Sequence, residues 1–183
     1  MKRLRHAKPA ESGAIFQIAQ SVAHGWQGTD HGGFLLSRYT EADYLERLRQ
    51  KEIYVSDAED IRGYVILIPF PSPTLETIRR YLSQVEDRKV DFTTLPDLLW
   101  LDQVAVGAGL GHRGVGSALY EAMLARFPGA PILTAIAEKP DTNVPSMKFH
   151  KKFGFARIGT FRADDFFGVP HYQSGIFLRP AGT

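Results

Sequence analysis

Along this chain the spacing of apolar residues switches between the period of a strand and the period of a helix. Leu101, Gln103 and Ala105 alternate with Asp102, Val104 and Val106, which predicts a strand over 98–106 with two different faces. Ala118, Leu119, Ala122 and Met123 then share one helical face, so that strand feeds a helix over 115–127. The same reading predicts a first strand at 3–7, a helix opened by Pro9 and running to about His24, and a glycine-bearing loop over 25–37. Thr40 can cap a helix through about Gln50, and strands at 53–56 and 64–68 pair through the polar turn 57–62. Pro69 to Pro73 breaks the pattern. A helical insertion at about 71–96, with an amphipathic helix over 74–85, precedes the central strand. A strand at 132–137, a helix at 144–153 and closing strands at about 156–161 and 174–178 complete an α/β order in one domain over 1–183, a mixed sheet flanked by helices.

Between the central strand and its helix lie Gly109, Gly111, Gly114 and Gly116. Glycine permits positive φ and close approach of the backbone, so successive N–H groups and the positive end of a helix dipole can converge on an anion. Three kinds of nucleotide site use that arrangement. A phosphate loop of the kinase type needs Lys-Ser or Lys-Thr after its last glycine, and here Gly114 is followed by Val115-Gly116-Ser117. Gly109-Leu110-Gly111-His112-Arg113-Gly114 is a literal dinucleotide fingerprint, with Glu138 near the place of a ribose-binding acid. That fingerprint usually opens its domain, whereas here it comes late and too little chain follows for further strand-helix units.

The third kind accounts for more of the chain. Arg113-Gly114-Val115-Gly116, followed by a helix carrying Ser117-Ala118-Leu119, resembles the acetyl-coenzyme A loop of the GNAT N-acetyltransferase superfamily. Asn143-Val144-Pro145-Ser146, then Phe149 and His150, then Phe153-Gly154-Phe155, resembles that superfamily's second signature at the expected distance downstream. Where the family has glutamine or arginine followed by glycine, this chain has Gly111 and His112. The resemblance implies the GNAT-like acetyl-CoA N-acyltransferase fold, α/β with a single mixed, mostly antiparallel central sheet flanked by helices. It further implies that main-chain groups of Val104, Ala105 and Val106 bond the acetyl and pantetheine portions. The pyrophosphate would lie on Gly111, His112, Arg113, Gly114, Val115, Gly116 and Ser117, and the pantetheine arm beside Asn143, Ser146 and His150.

Composition narrows the rest. With 183 residues, 44% hydrophobic and 23% charged, the chain can bury a core. The longest apolar run, Tyr64 to Phe70, is far short of a membrane span, and no hydrophobic signal core follows Met1 to Lys8, so a cytoplasmic protein without membrane partners is expected. Cysteine is absent, which removes disulfides, thiolate nucleophiles and cysteine zinc sites. A net charge of +2 is too small to argue for nucleic acid, and no basic run is interleaved with aromatics, so no nucleic-acid partner is expected. His24 and His31 lack a third ligand, so no metal is expected. The resemblance leaves room for a homodimer.

Amine acetylation needs a base for the ammonium, a donor for the thioester carbonyl and an acid for the departing thiolate. Asp102, on the face of Val104 and Val106, is the candidate base; its alternative role is a structural ion pair with an Arg or Lys. His150 stands where the family often has a tyrosine that protonates the sulfur, and an imidazolium could serve near neutral pH; alternatively it fills space or bonds a carbonyl. Tyr172, read as lying with His171 in a loop before the last strand, is the second candidate acid. Asn143 and Ser146 could instead cap the helix after them. Lys148, Lys151 and Lys152 read as a solvated face or as a contact for the adenosine 3′-phosphate. His24, Trp26, Asp30, His31, Phe34 and Tyr39, with Asp164, Asp165, Phe166 and Phe167, are candidates to line the acceptor cleft, or to anchor loops. Two functions compete: direct acetyl transfer from acetyl-CoA to a primary amine in a ternary complex, or a non-catalytic acyl-CoA-binding or regulatory domain. A dinucleotide enzyme is third.

Overall fold

The strands are β1 (Leu4–His6), β2 (Ile53–Ser56), β3 (Gly63–Pro69), β4 (Leu99–Val106), β5 (Ile132–Lys139), β6 (Ala156–Phe166) and β7 (Val169–Arg179). Five helices accompany them: α1 (Ser12–Ser21), α2 (Glu41–Arg49), α3 (Glu76–Ser83), α4 (Val115–Arg126) and α5 (Val144–Lys152). This is a computed structural model, which describes residues 3–23, 33–36, 39–56, 60–70, 76–108 and 114–182, and of 76–79 the backbone. The strands form one sheet in the order β1-β2-β3-β4-β5-β7-β6, with β4 and β5 parallel. The pairs β1–β2, β2–β3, β5–β7 and β6–β7 are antiparallel, so the sheet is mixed and mostly antiparallel as expected. By its internal packing the chain falls into two units, 1–67 with 102–128 and 68–101 with 129–183.

In the first unit, Ile15, Tyr44, Ile53, Val55, Tyr64, Ile66, Leu119 and Tyr120 are buried with 1% exposure or less. Helix α2 starts where Thr40 predicts, because its hydroxyl accepts from Asp43 N (3.3 Å) while the Asp43 carboxylate accepts from Thr40 N (2.7 Å). That start puts Tyr44 and Leu48 in the core, with Arg47 beside them on the same side. Gly63 opens β3 at a crowded point. A Cβ there would lie 2.6 Å from the Ala105 carbonyl oxygen and 2.9 Å from Leu119 Cδ1, so β3, β4 and α4 meet over its missing side chain. Gly63→Ala should therefore cost about 1–3 kcal/mol, the usual scale of overpacking, and lower the urea midpoint without changing the m-value.

In the second unit the β4–β5 ladder runs over Leu99↔Ile132 and Trp100↔Leu133. At the next position Thr134 Oγ1 donates to the Leu101 carbonyl (2.8 Å). Strands β6 and β7 are longer than the sequence predicts and form one hairpin that closes at Phe166↔Val169. Its turn is Phe167–Gly168, with φ of 53° and 79°, tied by Gly168 N donating to Asp165 Oδ1 (3.1 Å). Residues 162–173, expected as a loop around the acceptor, are thus strand and turn. Outside β6, Glu86 and Thr160 exchange main-chain hydrogen bonds and Lys89 N donates to the Ile158 carbonyl. That short pairing covers part of an otherwise open edge. Arg88 donates to the carbonyls of Leu82 (2.7 Å) and Val85 (3.0 Å), closing the C-terminal end of α3.

Candidate active site

The first unit holds the end of β4 and the start of α4. Leu101, Gln103 and Ala105 are buried, whereas Asp102, Val104 and Val106 are only half-buried. The strand's two faces are therefore as predicted. The chain leaving β4 is held by Gly107 N donating to the Arg62 carbonyl (3.0 Å) and Ala108 N donating to Ser21 Oγ (3.2 Å). Gly111, His112 and Arg113 lie outside the described residues. Gly114 precedes α4 with φ of 77°, and its carbonyl accepts from Ala118 N (2.9 Å). Among the described residues, a Cβ added at Gly114 would meet nothing within 4 Å. The helix thus begins at a residue that carries no side chain to cap it, with half-buried Val115, Gly116 and Ser117 forming its first turn. Main-chain N–H groups at such an end suit an anion.

Asp102 sits in a charged cluster. Tyr39 Oη donates to Asp102 Oδ2 (3.0 Å), and Arg47 Nη2 lies 3.5 Å from the same oxygen. Arg47 also donates to Tyr39 Oη (2.7 Å) and to Glu52 Oε2 (3.1 Å). Side-chain exposure is 14% for Arg47, 12% for Asp102 and 7% for Glu52, so the pairing is largely shielded from water. Burial first, and then the Asp102 charge, push the Tyr39 phenol above its ordinary ionisation range. Beneath the cluster, Gln103 Oε1 accepts from Tyr64 (2.7 Å) and Tyr44 (3.0 Å). These bonds tie β4 to β3 and α2. The sequence reading placed Tyr39 near the acceptor and missed Arg47; its place three residues after Tyr44 on the inward side of α2 was the available signal.

The second unit holds α5 and the β6–β7 hairpin. Asn143 caps α5, its side-chain oxygen accepting from Ser146 N (3.2 Å), and it is buried. His150 is 3% exposed, edge-on to the ring of Phe155 (5.1 Å). Its Nδ1 lies 2.8 Å from the Ser146 carbonyl oxygen. A carbonyl only accepts, so Nδ1 carries the hydrogen and, in the neutral ring, Nε2 is the unprotonated nitrogen. Burial brings the imidazole down to about 4, against a smaller opposing effect of the Ser146 bond. The imidazolium expected near neutral pH is therefore absent, because charging this ring means desolvating it among aromatic side chains.

Tyr172 is not in a loop. It lies in β7, 4% exposed, stacked on Phe166 (4.6 Å between centroids, 12° between planes). Burial pushes its hydroxyl up to about 12, against a hydrogen bond with Ser174. Ser174 also bonds Tyr81 of α3, whose ring packs on Phe161. Asp164 and Asp165 are exposed in β6, and Phe167 stands 48% exposed at the turn. Lys148, Lys151 and Lys152 are exposed, with Lys152 Nζ 5.4 Å from the centre of the Phe153 ring. His24, Trp26, Asp30 and His31 lie outside the described residues; Phe34 is half-buried. Among the described residues no three His, Asp or Glu side chains gather as metal ligands, and no helix is long and apolar enough to cross a membrane.

The model of the acetyltransferase (GNAT) family matches residues 21–155, and the chain belongs to that family. It is 36% identical over 59 residues to a phosphinothricin N-acetyltransferase of Streptomyces coelicolor, a match spanning 32% of this chain and about a third (34%) of that relative. Among solved structures it resembles a GNAT-family acetyltransferase from Streptococcus agalactiae, with a TM-score of 0.73 at 13% identity over 100% of this chain and 96% of the other. It also resembles Naa20 of Chaetomium thermophilum, solved with a bisubstrate analogue, with a TM-score of 0.63 at 16% identity over 97% and 86% of the two chains. These structures share the fold.

Proposed function

We propose that this cytoplasmic chain transfers the acetyl group of acetyl-coenzyme A to a primary amine, directly, in a ternary complex. The observation that carries the reading is the start of α4. Gly114 adopts φ of 77° ahead of the helix's first N–H groups, and among the described residues a Cβ there would meet nothing within 4 Å, which fits close approach of a pyrophosphate. When bound, acetyl-coenzyme A supplies the activated acyl group. On this reading Gly111, His112, Arg113 and Gly114 to Ser117 hold the diphosphate, and main-chain groups of Val104, Ala105 and Val106 hold the pantetheine. That second role is supported by a β4–β5 ladder of two residue pairs at the start of an eight-residue strand. Asn143 and Ser146 orient the arm, Asn143 while also capping α5.

Asp102 takes the proton from the acceptor ammonium. It is on the half-buried face of β4, four residues before the strand ends at Val106, or about 13 Å along an extended backbone. His150 is neutral, with its Nδ1 hydrogen committed to the Ser146 carbonyl, so it orients and does not donate. Tyr172 keeps its proton at any physiological pH and is the remaining candidate acid. The neutral His150 also favours the second reading, a domain that binds acyl-coenzyme A without turnover.

Coenzyme A and acetyl-coenzyme A should raise the melting temperature, whereas NAD and ATP should not; at about 100 times Kd the gain is roughly 2.7 kcal/mol. Gly114→Val, in a variant shown to be folded, should lose the shift, since its side chain enters the anion's space. Release of free coenzyme A that depends on an amine separates the enzyme from the binding domain. A shift with NAD alone would overturn both.

A further inference from the structure

The hydrogen bonds that link Arg47, Tyr39 and Asp102 run in a single direction. A guanidinium only donates, so the Tyr39 oxygen accepts from Arg47 Nη2 at 2.7 Å. The phenol's single hydrogen is then left for Asp102 Oδ2, at 3.0 Å. Arg47 is itself fixed from three sides. Glu52 takes Nη1, the Tyr39 ring lies 4.7 Å under its guanidinium carbon, and Asp102 Oδ2 is 3.5 Å from Nη2. The Tyr39 ring is in turn braced edge-on by Tyr44 of α2, at 5.7 Å. The phenol donates to Asp102 Oδ2 and the guanidinium pairs with that same oxygen, which favours one rotation of the carboxyl group about its terminal bond. Neither donor belongs to either family signature in the sequence.

We infer that Tyr39 and Arg47 are positioning residues, which hold the Asp102 carboxylate in one orientation on the face of β4 that carries Val104 and Val106. This rests on the reading of the chain as an amine acetyltransferase with Asp102 as proton acceptor. A base misplaced by a rotation of its carboxyl group loses the aligned approach to the ammonium while the cofactor cradle at α4 is untouched.

The test is a double-mutant cycle on the full-length chain, with acetyl-coenzyme A and a panel of primary amines. Tyr39→Phe keeps the ring and removes the hydroxyl. It should lower kcat by roughly 10- to 100-fold and leave KM for acetyl-coenzyme A within a few-fold. Placed in Asp102→Asn, the same substitution should cost nothing further, because it acts through the carboxylate. An equal loss in both backgrounds, or no loss in the parent, overturns the inference. If the parent releases no coenzyme A with any amine, the acetyltransferase reading fails separately. The coupling is then read from the Tyr39 ring carbon resonance in a pH titration. The groups facing that hydroxyl are Asp102 and Arg47, with the Tyr44 ring alongside. Removing the Asp102 charge should bring Tyr39 ionisation to lower pH, and an unmoved titration rejects the arrangement.

Discussion

Stability against urea should fall by roughly 2 kcal/mol between pH 7 and pH 5 through His150 alone, and His150→Asn should remove that part of the slope. The sign follows from the depressed folded value. Unfolded, the imidazole titrates near its ordinary 6.5; folded, burial holds it near 4. Between those values the unfolded chain takes up a proton that the native chain refuses, so acid favours unfolding. The contribution is fully present above the unfolded value, is lost as pH falls, and is gone below about 4. With 3% exposure, little water reaches the ring to soften the effect. Carboxylates held low by partners, such as Glu138 beside Arg157 and Glu11 beside Arg5, act at more acidic pH. The comparison of parent and variant between pH 5 and 7 therefore isolates the histidine. Parallel pH slopes in the two proteins would place His150 in contact with solvent. The same burial predicts that no limb of an activity profile between pH 6 and 8 disappears in the variant.

What the sequence made legible were the features whose causes are local. The Thr40 cap, the glycine before α4 and the Asn143 cap each act over three or four residues, and each stands where it was expected. Elements with strong periodicity, β2 and β4 among them, were placed within a residue or two. The misses are long-range. Arg47 and Asp102 are 55 positions apart, and only the pairing of β3 with β4 over Gly63 and the packing of α2 bring them together. Strand β6 was cut short because Asp164 and Asp165 are exposed there and break the alternation that marks a strand. Its turn was hidden too, since Phe167 is an unusual residue for φ of 53°. Mistaking the hairpin for a loop then put Tyr172 at a surface when it lies beneath Phe166. His150 was read from its ordinary chemistry, and its neutrality comes from burial beside Phe155, which outweighs the Ser146 carbonyl and which no motif encodes.

Asp102→Asn should lower kcat by roughly 10²- to 10⁴-fold, the scale of lost general base catalysis, with acetyl-coenzyme A still raising the melting temperature as it does in the parent. Asparagine keeps the shape and can still accept the Tyr39 hydrogen bond, so the change is confined to charge and basicity. Two roles for Asp102 predict opposite patterns. As a partner that only balances Arg47, its neutralisation leaves a largely buried guanidinium short of an anion and destabilises the fold, while turnover per folded molecule stays near the parent value. As proton acceptor, its neutralisation stops turnover in molecules that remain folded, and Glu52 continues to neutralise Arg47 at 3.1 Å. Urea titration and single-turnover coenzyme A release, run on the same preparation, separate the two. Near-normal release with a lowered urea midpoint assigns Asp102 to the ion pair alone. Loss of release that is steepest for the most basic amines, with the midpoint little changed, assigns the proton to Asp102, because the acceptors that arrive most fully protonated depend most on a base.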